Sequence, residues 1–529
     1  MEAGVRMMPH STRVMNLGHF VDQNARRLGD RPGFVWGDRV WSWAEFDARV
    51  RALAVALVQD GGIVKGDRVL VQSQNCNQMF ESMFACFRIG AVWVPANFRG
   101  TPDDLRWMAK LSGAKLLICN ADFPDHAQIE TADLKTRFAI GSADFGVDVD
   151  DLIAQHMGAD SPLAPVDRDD PAWFFFTSGT TGRPKASVLT HGQLAFVINN
   201  HLCDLVPGIA AEDASLVVAP LSHGAGMHQL LMVARGAPTI LPAAARFDTA
   251  EIWEMVERWR VTNIFTVPTI LKMLVEAPQI ADHDHSSLRY VIYAGAPMYR
   301  TDQIRALETL GPVLVQYFGL GEVTGAITYL PPAEHDAGEG ARVGTCGFAR
   351  TGMHVQIQDE TGAECPVGET GEICVTGPAV FAGYWDNPEA NAKSFRDGWF
   401  CTGDLGRMDA QGFVFITGRQ SDMFISGGSN IYPLEIEEKI LTHPDVAETA
   451  VFGMPDPKWG EVGVVVSALK PGASLDGPAL EAFLRTRIAS YKIPRQFHFW
   501  DSLPKTGYGK LSKLLLRNEL TRRMDREDA

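Results

Sequence analysis

The sequence predicts an α/β protein with two α/β blocks, an antiparallel β section and a small mixed α+β region at the C-terminus. Three observations carry this. Apolar strand-like runs alternate with helix-period runs up to about Gly344. From there short alternating runs follow one another, divided by Gly and Pro. After a Gly/Ser-rich stretch at 418–430, about 100 residues of mixed pattern remain, enough for a small domain.

The elements follow in order. Phe46, Val50, Leu53, Ala54 and Leu57 recur at helical spacing. Asp67–Gln72 reads as a buried strand. Asn77–Arg88 reads as a helix with Met79, Phe80, Met83, Phe84 and Phe87 on its apolar side, and Ala114–Cys119 as a further strand. This βαβ punctuation implies parallel sheet covered by helices. It resumes after a loop-rich stretch around 141–170. Strands are expected at Ser215–Ala219, Asn263–Val267, Tyr290–Ala294 and Val313–Tyr317, with a helix at Thr249–Arg260. The antiparallel runs are His354–Gln358, Gly371–Thr376 and Gly412–Thr417, read as a small β-barrel.

Composition narrows the function. The chain has 529 residues, 46% hydrophobic and 21% charged, which fits several globular units. Its net charge of −16 argues against nucleic acid or an anionic membrane surface as partner. One segment departs from that balance: Arg485 to Arg523 carries ten Lys and Arg against Asp501 and Glu519. The eight cysteines form no CxxC pair, so free thiols are expected. The N-terminus lacks the apolar core of a signal peptide, and no apolar run approaches the roughly 20 residues of a membrane span. A cytoplasmic protein is expected.

The strongest chemical signal is Thr177–Lys185, TSGTTGRPK, between an apolar strand at Trp173–Phe176 and a helical pattern from His191. Gly179 and Gly182 let backbone amides approach a ligand closely. Thr177, Ser178, Thr180 and Thr181 supply hydroxyls, and Lys185 a charge. Together they suit a polyphosphate. The spacing is not that of a Walker A loop.

This segment resembles the signature loop of the adenylate-forming acyl-CoA synthetase superfamily, and four further motifs stand in the family's order. Gln316–Glu322 (QYFGLGE) resembles the aromatic-Gly-x-Thr-Glu motif, and Trp399–Asp404 (WFCTGD) the Thr-Gly-Asp motif. Gly418–Glu437 resembles the hinge motif, and Pro504–Lys510 (PKTGYGK) the catalytic-lysine motif. The resemblance spans roughly residues 20 to 520. It implies a large N-terminal domain, residues 1–418, with the acid and ATP sites, and a mobile α+β lid, residues 419–529.

It also implies two steps. A fatty or aryl carboxylate attacks the α-phosphate of ATP, giving acyl-AMP and pyrophosphate, and the thiol of coenzyme A then displaces AMP. ATP, Mg2+ and coenzyme A are the implied cofactors, and a small-molecule carboxylic acid the partner. The oligomeric state stays open, a homodimer being one option. The rivals are an acyl-AMP ligase that loads a carrier protein and a catalytically reduced nucleotide-binding sensor.

Carried over by motif, Glu322 and Thr177 become the magnesium ligands, because a hard cation prefers oxygen. Phe318 and Gly319 border adenine, as do Gly295, Ala296 and Pro297 of YAGAPM. Asp404 accepts from the ribose diol, with Arg419 beside it. His223 of PLSHGAG stands at the carboxylate end of the acyl pocket. Gly427 and Gly428 give pantetheine passage, and Lys510 meets the charge that builds on the α-phosphate. The hinge falls at Ser421, with Asp422 next door as an alternative pivot. Three positions depart from the usual pattern: Phe318 replaces Tyr, Gly321 replaces Thr, and Ser421 replaces Asp or Lys. With Gly321 a hydroxyl near the α-phosphate is missing, and Thr324 is the nearest substitute.

Overall fold

A computed structural model describes residues 13–177, 183–244, 246–296, 298–335, 338, 342–426, 429–505 and 511–527. The expectations for Ser178, Gly179, Thr180, Thr181, Gly182, Pro297, Gly427, Gly428 and Lys510 therefore lie outside the described residues.

Two large sheets stack with helices between and outside them. The first has seven strands in the order Lys185–Thr190, Pro171–Thr177, Val92–Pro95, Arg68–Gln72, Leu116–Asn120, Thr136–Ile140, Val147–Asp148. Its strands from Val92 to Asp148 run parallel. The second is built on parallel strands Leu314–Phe318, Tyr290–Tyr293, Asn263–Thr266, Ser215–Val217, Thr239–Leu241 and Pro32–Trp36. Alternate residues of each strand face opposite layers. Val69 and Val71 face the middle layer, while Leu70 faces the outer helix Pro102–Ser112. Val217 and Ile292 face the same middle layer from the other side, and Leu216 and Val291 face helices Thr249–Arg258 and Pro268–Glu276.

The middle layer explains why helix Asn77–Ile89 is buried from Asn77 to Arg88, beyond the single apolar side its pattern predicts. Its two charges are matched. Arg49 donates to Glu81 at 2.5 Å, and Arg88 to Asp22 at 2.7 Å. Cys76 caps the helix start, and Gly90 in the left-handed region ends it.

Among the described residues the antiparallel strands continue the second sheet's ladder, and no strand pair closes them into a separate barrel. Strand Thr328–Leu330 folds back on Leu314–Phe318 and carries the ladder on through Thr345–Ala349, Phe413–Arg419, Trp399–Met408 and Gly371–Thr376 to His354–Gln358. The result is one 14-stranded sheet with His354–Gln358 at an edge. The chain reverses over residues 319–327, which lets Thr328–Leu330 pair antiparallel with Leu314–Phe318.

Beyond residue 423 a separate five-stranded sheet forms. Val451 and Val465 face helices Pro433–Ile440 and Gly477–Arg485, while Phe452, Val464 and Val466 face helix Lys513–Glu527. A sheet covered on both faces holds its own two cores. Among the described residues no helix is long and apolar enough to cross a membrane.

Candidate functional site

The site forms where the C-terminal ends of the second sheet's parallel strands meet the edge hairpin of the first. Such strand ends are where open α/β sheets leave a crevice. The hairpin departs from the sequence pattern. The segment after Lys185, expected to run into a helix, first forms strand Lys185–Thr190, antiparallel to Pro171–Thr177 with Lys185 directly opposite Thr177. Residues 178–184 thus connect two antiparallel strands, not a strand and a helix. Trp107 anchors the exit by donating from Nε1 to the Pro184 carbonyl at 2.9 Å, and Arg183 stacks over the same indole.

Glu322 sits in the short 3-10 turn Gly321–Val323 and is only 4% exposed. Thr177 and Tyr384 each donate a hydroxyl to Glu322 Oε1 at 2.9 Å. Burial and the neighbouring carboxylate push the Tyr384 phenol up, so it remains a donor. The Phe381 amide donates to the Glu322 carbonyl at 2.8 Å, so two distant segments, the strand ending at Thr177 and the loop 381–384, fix this turn. Among the described residues no Lys or Arg pairs with the Glu322 carboxylate. Lys185 is close, yet its ammonium lies over the Tyr384 ring at 4.5 Å. A buried carboxylate held by hydroxyls and lacking a cation fits a hard divalent ion.

The structure accounts for Gly321. A β-carbon there would lie 2.6 Å from the Phe175 ring and 2.9 Å from Thr177 Cγ2. Phe175 occupies the room a threonine side chain needs. Thr324, the expected substitute, is buried, and its Oγ1 donates to the Val323 carbonyl at 2.6 Å. Gly319 is required by a close approach, since a β-carbon would fall 2.5 Å from the Gly325 Cα. Phe318 is half-buried against the main core at the end of its strand.

His223 precedes helix Gly224–Arg235, with its ring 5.5 Å from Phe175 edge to face and Nδ1 2.7 Å from Ser222 Oγ. Phe175 therefore touches both the His223 and the Gly321 sides of the crevice. Gly295, at φ +80°, and Ala296 are exposed just past strand Tyr290–Tyr293.

Asp404 lies on strand Trp399–Met408, directly opposite Arg419 in the ladder. It is 4% exposed, and Arg419 Nε approaches Oδ1 at 3.0 Å. Burial raises its pKa, Arg419 opposes that, and the charges of Asp422 and Glu322 add to the rise. The Glu322 charge thus reaches Asp404.

Ser421 is exposed and its hydroxyl reaches Asp422 Oδ1 at 3.3 Å. The Gln420 amide donates to the Gly403 carbonyl, next to Asp404. The feet of the Lys510 segment are joined by a bridge between Lys505 and Leu511. The basic excess there is mostly neutralised within the region. Lys492 pairs with Glu435, Lys505 with Glu448, Lys513 with Glu437, and Arg523 with Glu519. Counting charge along the chain missed these partners, most of which lie upstream of Arg485.

Sequence reasoning also missed Tyr384 and Phe175. Tyr384 had no signal of its own, since the loop FAGYWDN also holds Phe381 and Trp385. Phe175 had none, since it reads as one more apolar strand residue.

This fold and crevice suit an enzyme that binds a nucleotide, and the chain belongs to the AMP-binding enzyme family, matched over residues 21–385, with the family's C-terminal domain matched over 435–510. It is 37% identical over 513 residues to a feruloyl-CoA synthase from Amycolatopsis sp, covering 97% of this chain and 99% of the relative. An indoleacetate–CoA ligase from Aromatoleum aromaticum is 33% identical, over 96% and 99% of the two chains. Among solved structures, o-succinylbenzoate CoA synthetase from Bacillus subtilis with its acyl-adenylate intermediate superposes with a TM-score of 0.83. That match has 30% identity and covers 95% of this chain and 97% of the other.

Proposed function

We propose that the protein is an ATP-dependent acid–CoA ligase that forms an acyl-AMP, releases pyrophosphate, and passes the acyl group to coenzyme A. The observation that carries this is the pair of buried carboxylates, Glu322 and Asp404, in one crevice beside the Thr177–Lys185 hairpin. The feruloyl and indoleacetate relatives are named for acids bearing a ring, so an aryl-substituted acid is the first choice of substrate, ahead of a fatty acid.

In this reading Asp404 accepts both ribose hydroxyls, and Arg419 holds the carboxylate in place. Phe318, Gly295 and Ala296, with Pro297, border the adenine. Thr177, Lys185 and residues 178–182 receive the phosphates. Glu322 and Thr177 hold Mg2+, which when bound offsets phosphate charge. Tyr384 keeps Glu322 oriented and shields it from Lys185. His223 faces the incoming carboxylate, with Phe175 as the wall behind it. Lys510 stabilises the charge that develops on the α-phosphate. The lid comprises residues 419–529 and pivots at Ser421 or Asp422, with pantetheine passing Gly427 and Gly428.

The test is a panel of aryl and fatty carboxylates with ATP, Mg2+ and coenzyme A. Pyrophosphate, AMP and an acyl-CoA thioester are expected. ADP as product would overturn the reaction type. Acyl-AMP that forms but reacts only with a carrier protein would overturn the acceptor.

A further inference from the structure

Two cysteines outside the proposed chemistry sit at the foot of the Asp404 bulge. Cys374 and Cys401 are directly opposite in the ladder between strands Gly371–Thr376 and Trp399–Met408. Their sulfurs are 3.8 Å apart. Directly opposed antiparallel residues have Cα atoms about 4.5–5.5 Å apart, inside the span a disulfide bridges.

Their surroundings differ from those of the other thiols. Arg396 Nη2 lies 3.6 Å from Cys374 Sγ and 3.6 Å from Glu372 Oε2. Cys401 is half-buried, and its pKa is held low first by the hydrogen bond from Cys374 and also by Arg396. By contrast, burial pushes Cys76 up to about 11, and Cys119 and Cys346 up to about 12. An accessible low-pKa thiol beside a second thiol is the arrangement of a redox-sensitive pair. Glu372, Cys374 and Cys401 also have the donor atoms of a metal site. The Arg396 guanidinium already supplies the positive charge at that cluster, which disfavours a cation.

The ladder gives the pair a consequence. Between Cys374↔Cys401 and Glu372↔Leu405 the register slips, so Thr402, Gly403 and Asp404 bulge against a single residue, Ile373. The bulge is pinned by Thr402 Oγ1 donating to the Ile373 carbonyl at 2.8 Å and by the Gly403 amide donating to Glu372 at 3.0 Å. It is what turns Asp404 into the crevice.

We propose that Cys401 and Cys374 form a reversible modification site that a hydroperoxide converts to a cross-strand disulfide, which draws in the foot of the bulge and weakens ATP binding at Asp404. The Cys401 thiolate attacks the peroxide O–O bond, giving a sulfenic acid and, after proton uptake, water or an alcohol. The Cys374 thiol then attacks the sulfenic sulfur, forming the S–S bond and releasing water. Two electrons pass from the sulfurs to the peroxide oxygens. The effect on ATP rests on the ribose role proposed for Asp404, whereas the cross-link does not.

The experiment treats the full chain with hydrogen peroxide, maps non-reduced peptides by mass spectrometry, and measures the KM for ATP before and after dithiothreitol. A Cys374–Cys401 linked peptide is expected, with a several-fold rise in the KM for ATP that dithiothreitol reverses. Cys374→Ser should keep its basal activity and resist the change, and Cys401→Ser provides a second variant lacking the link. Absence of the linked peptide under conditions that oxidise exposed Cys203 would overturn the site, as would bound metal protecting both thiols. A link that forms without moving the KM for ATP would overturn its coupling to Asp404.

Discussion

Glu322 and Asp404 are equally buried, but they are held in opposite ways. Glu322 is fixed by hydroxyls from Thr177 and Tyr384, residues far from it in sequence. Asp404 is fixed by a cation, Arg419, its own neighbour in a ladder. Hydroxyl donors satisfy a carboxylate without cancelling its charge, so Glu322 keeps its attraction for a divalent ion. A guanidinium offsets part of that charge and leaves an acceptor suited to neutral hydroxyls. The Glu322 turn is bound to the large α/β core, while the Asp404 bulge touches Gln420 at the entrance to the C-terminal region.

The largest expected effect tests whether these two carboxylates suffice without the C-terminal region. Lys510→Ala should slow acyl-AMP formation about a hundred- to a thousandfold, the usual loss when one transition-state donor is removed. Conversion of supplied acyl-AMP and coenzyme A to thioester should stay near the wild-type rate. Equal loss in both half-reactions, with melting unchanged, would show that one arrangement of the chain serves both steps.

Glu322→Gln comes next. An amide oxygen still accepts from Thr177 and Tyr384, so the fold should hold while the charge is gone. Loss of a charged hydrogen-bonding interaction is worth about 1.5–3 kcal/mol, or about ten- to a hundredfold in pyrophosphate release. Excess Mg2+ should partly restore the rate. A variant with wild-type dependence on Mg2+ would make Glu322 a structural residue like its hydroxyl partners.

Gly321→Thr probes the Glu322 side by sterics alone. The added side chain meets Phe175 and Thr177 below contact distance. Overpacking of this kind costs about 1–3 kcal/mol, seen as a lower melting temperature and slower adenylation. An unchanged melting temperature would mean that the Phe175 ring yields easily and the glycine is not dictated by packing.

How much of this was legible in the sequence depends on the range of the interaction. Strands such as His354–Gln358 and Gly371–Thr376 match the observed bounds because period-two patterning is local. The Asp404–Arg419 pair was legible as two motif positions, and the ladder puts them opposite one another. The strand Lys185–Thr190 was hidden because its lysine reads as the end of a polar loop and its partner lies across the hairpin. Tyr384 was invisible because its role depends on a hydrogen bond to Glu322, 62 positions earlier. The single 14-stranded sheet was likewise unreadable, since pattern shows where strands are and not where a ladder ends.

The smallest effect is expected of Asp404→Asn, and its sign is the informative part. The folded-state pKa of Asp404 is raised above the ordinary aspartate value of 3.8, chiefly by burial. A carboxyl raised in this way contributes stability that is fully present below the unfolded pKa and is lost as pH rises through the folded one. At neutral pH the wild-type protein therefore carries the cost of a buried charge, which asparagine removes. Arg419 loses its partner, but its side chain is 50% exposed and water replaces most of that loss. The variant should melt slightly higher than wild type at neutral pH, and the gap should close as pH falls toward 3.8. ATP binding should move the other way. The ionised form accepts from the ribose hydroxyls, so the wild-type KM for ATP should rise as pH falls through the raised pKa. The substituted amide cannot ionise, so the variant's KM should be higher at neutral pH and nearly flat with pH. Melting curves and ATP kinetics across that range read both signs. A variant that melts lower at neutral pH would show that Arg419 more than offsets the burial of Asp404, and the contrast with Glu322 would then be one of partner chemistry without a stability cost.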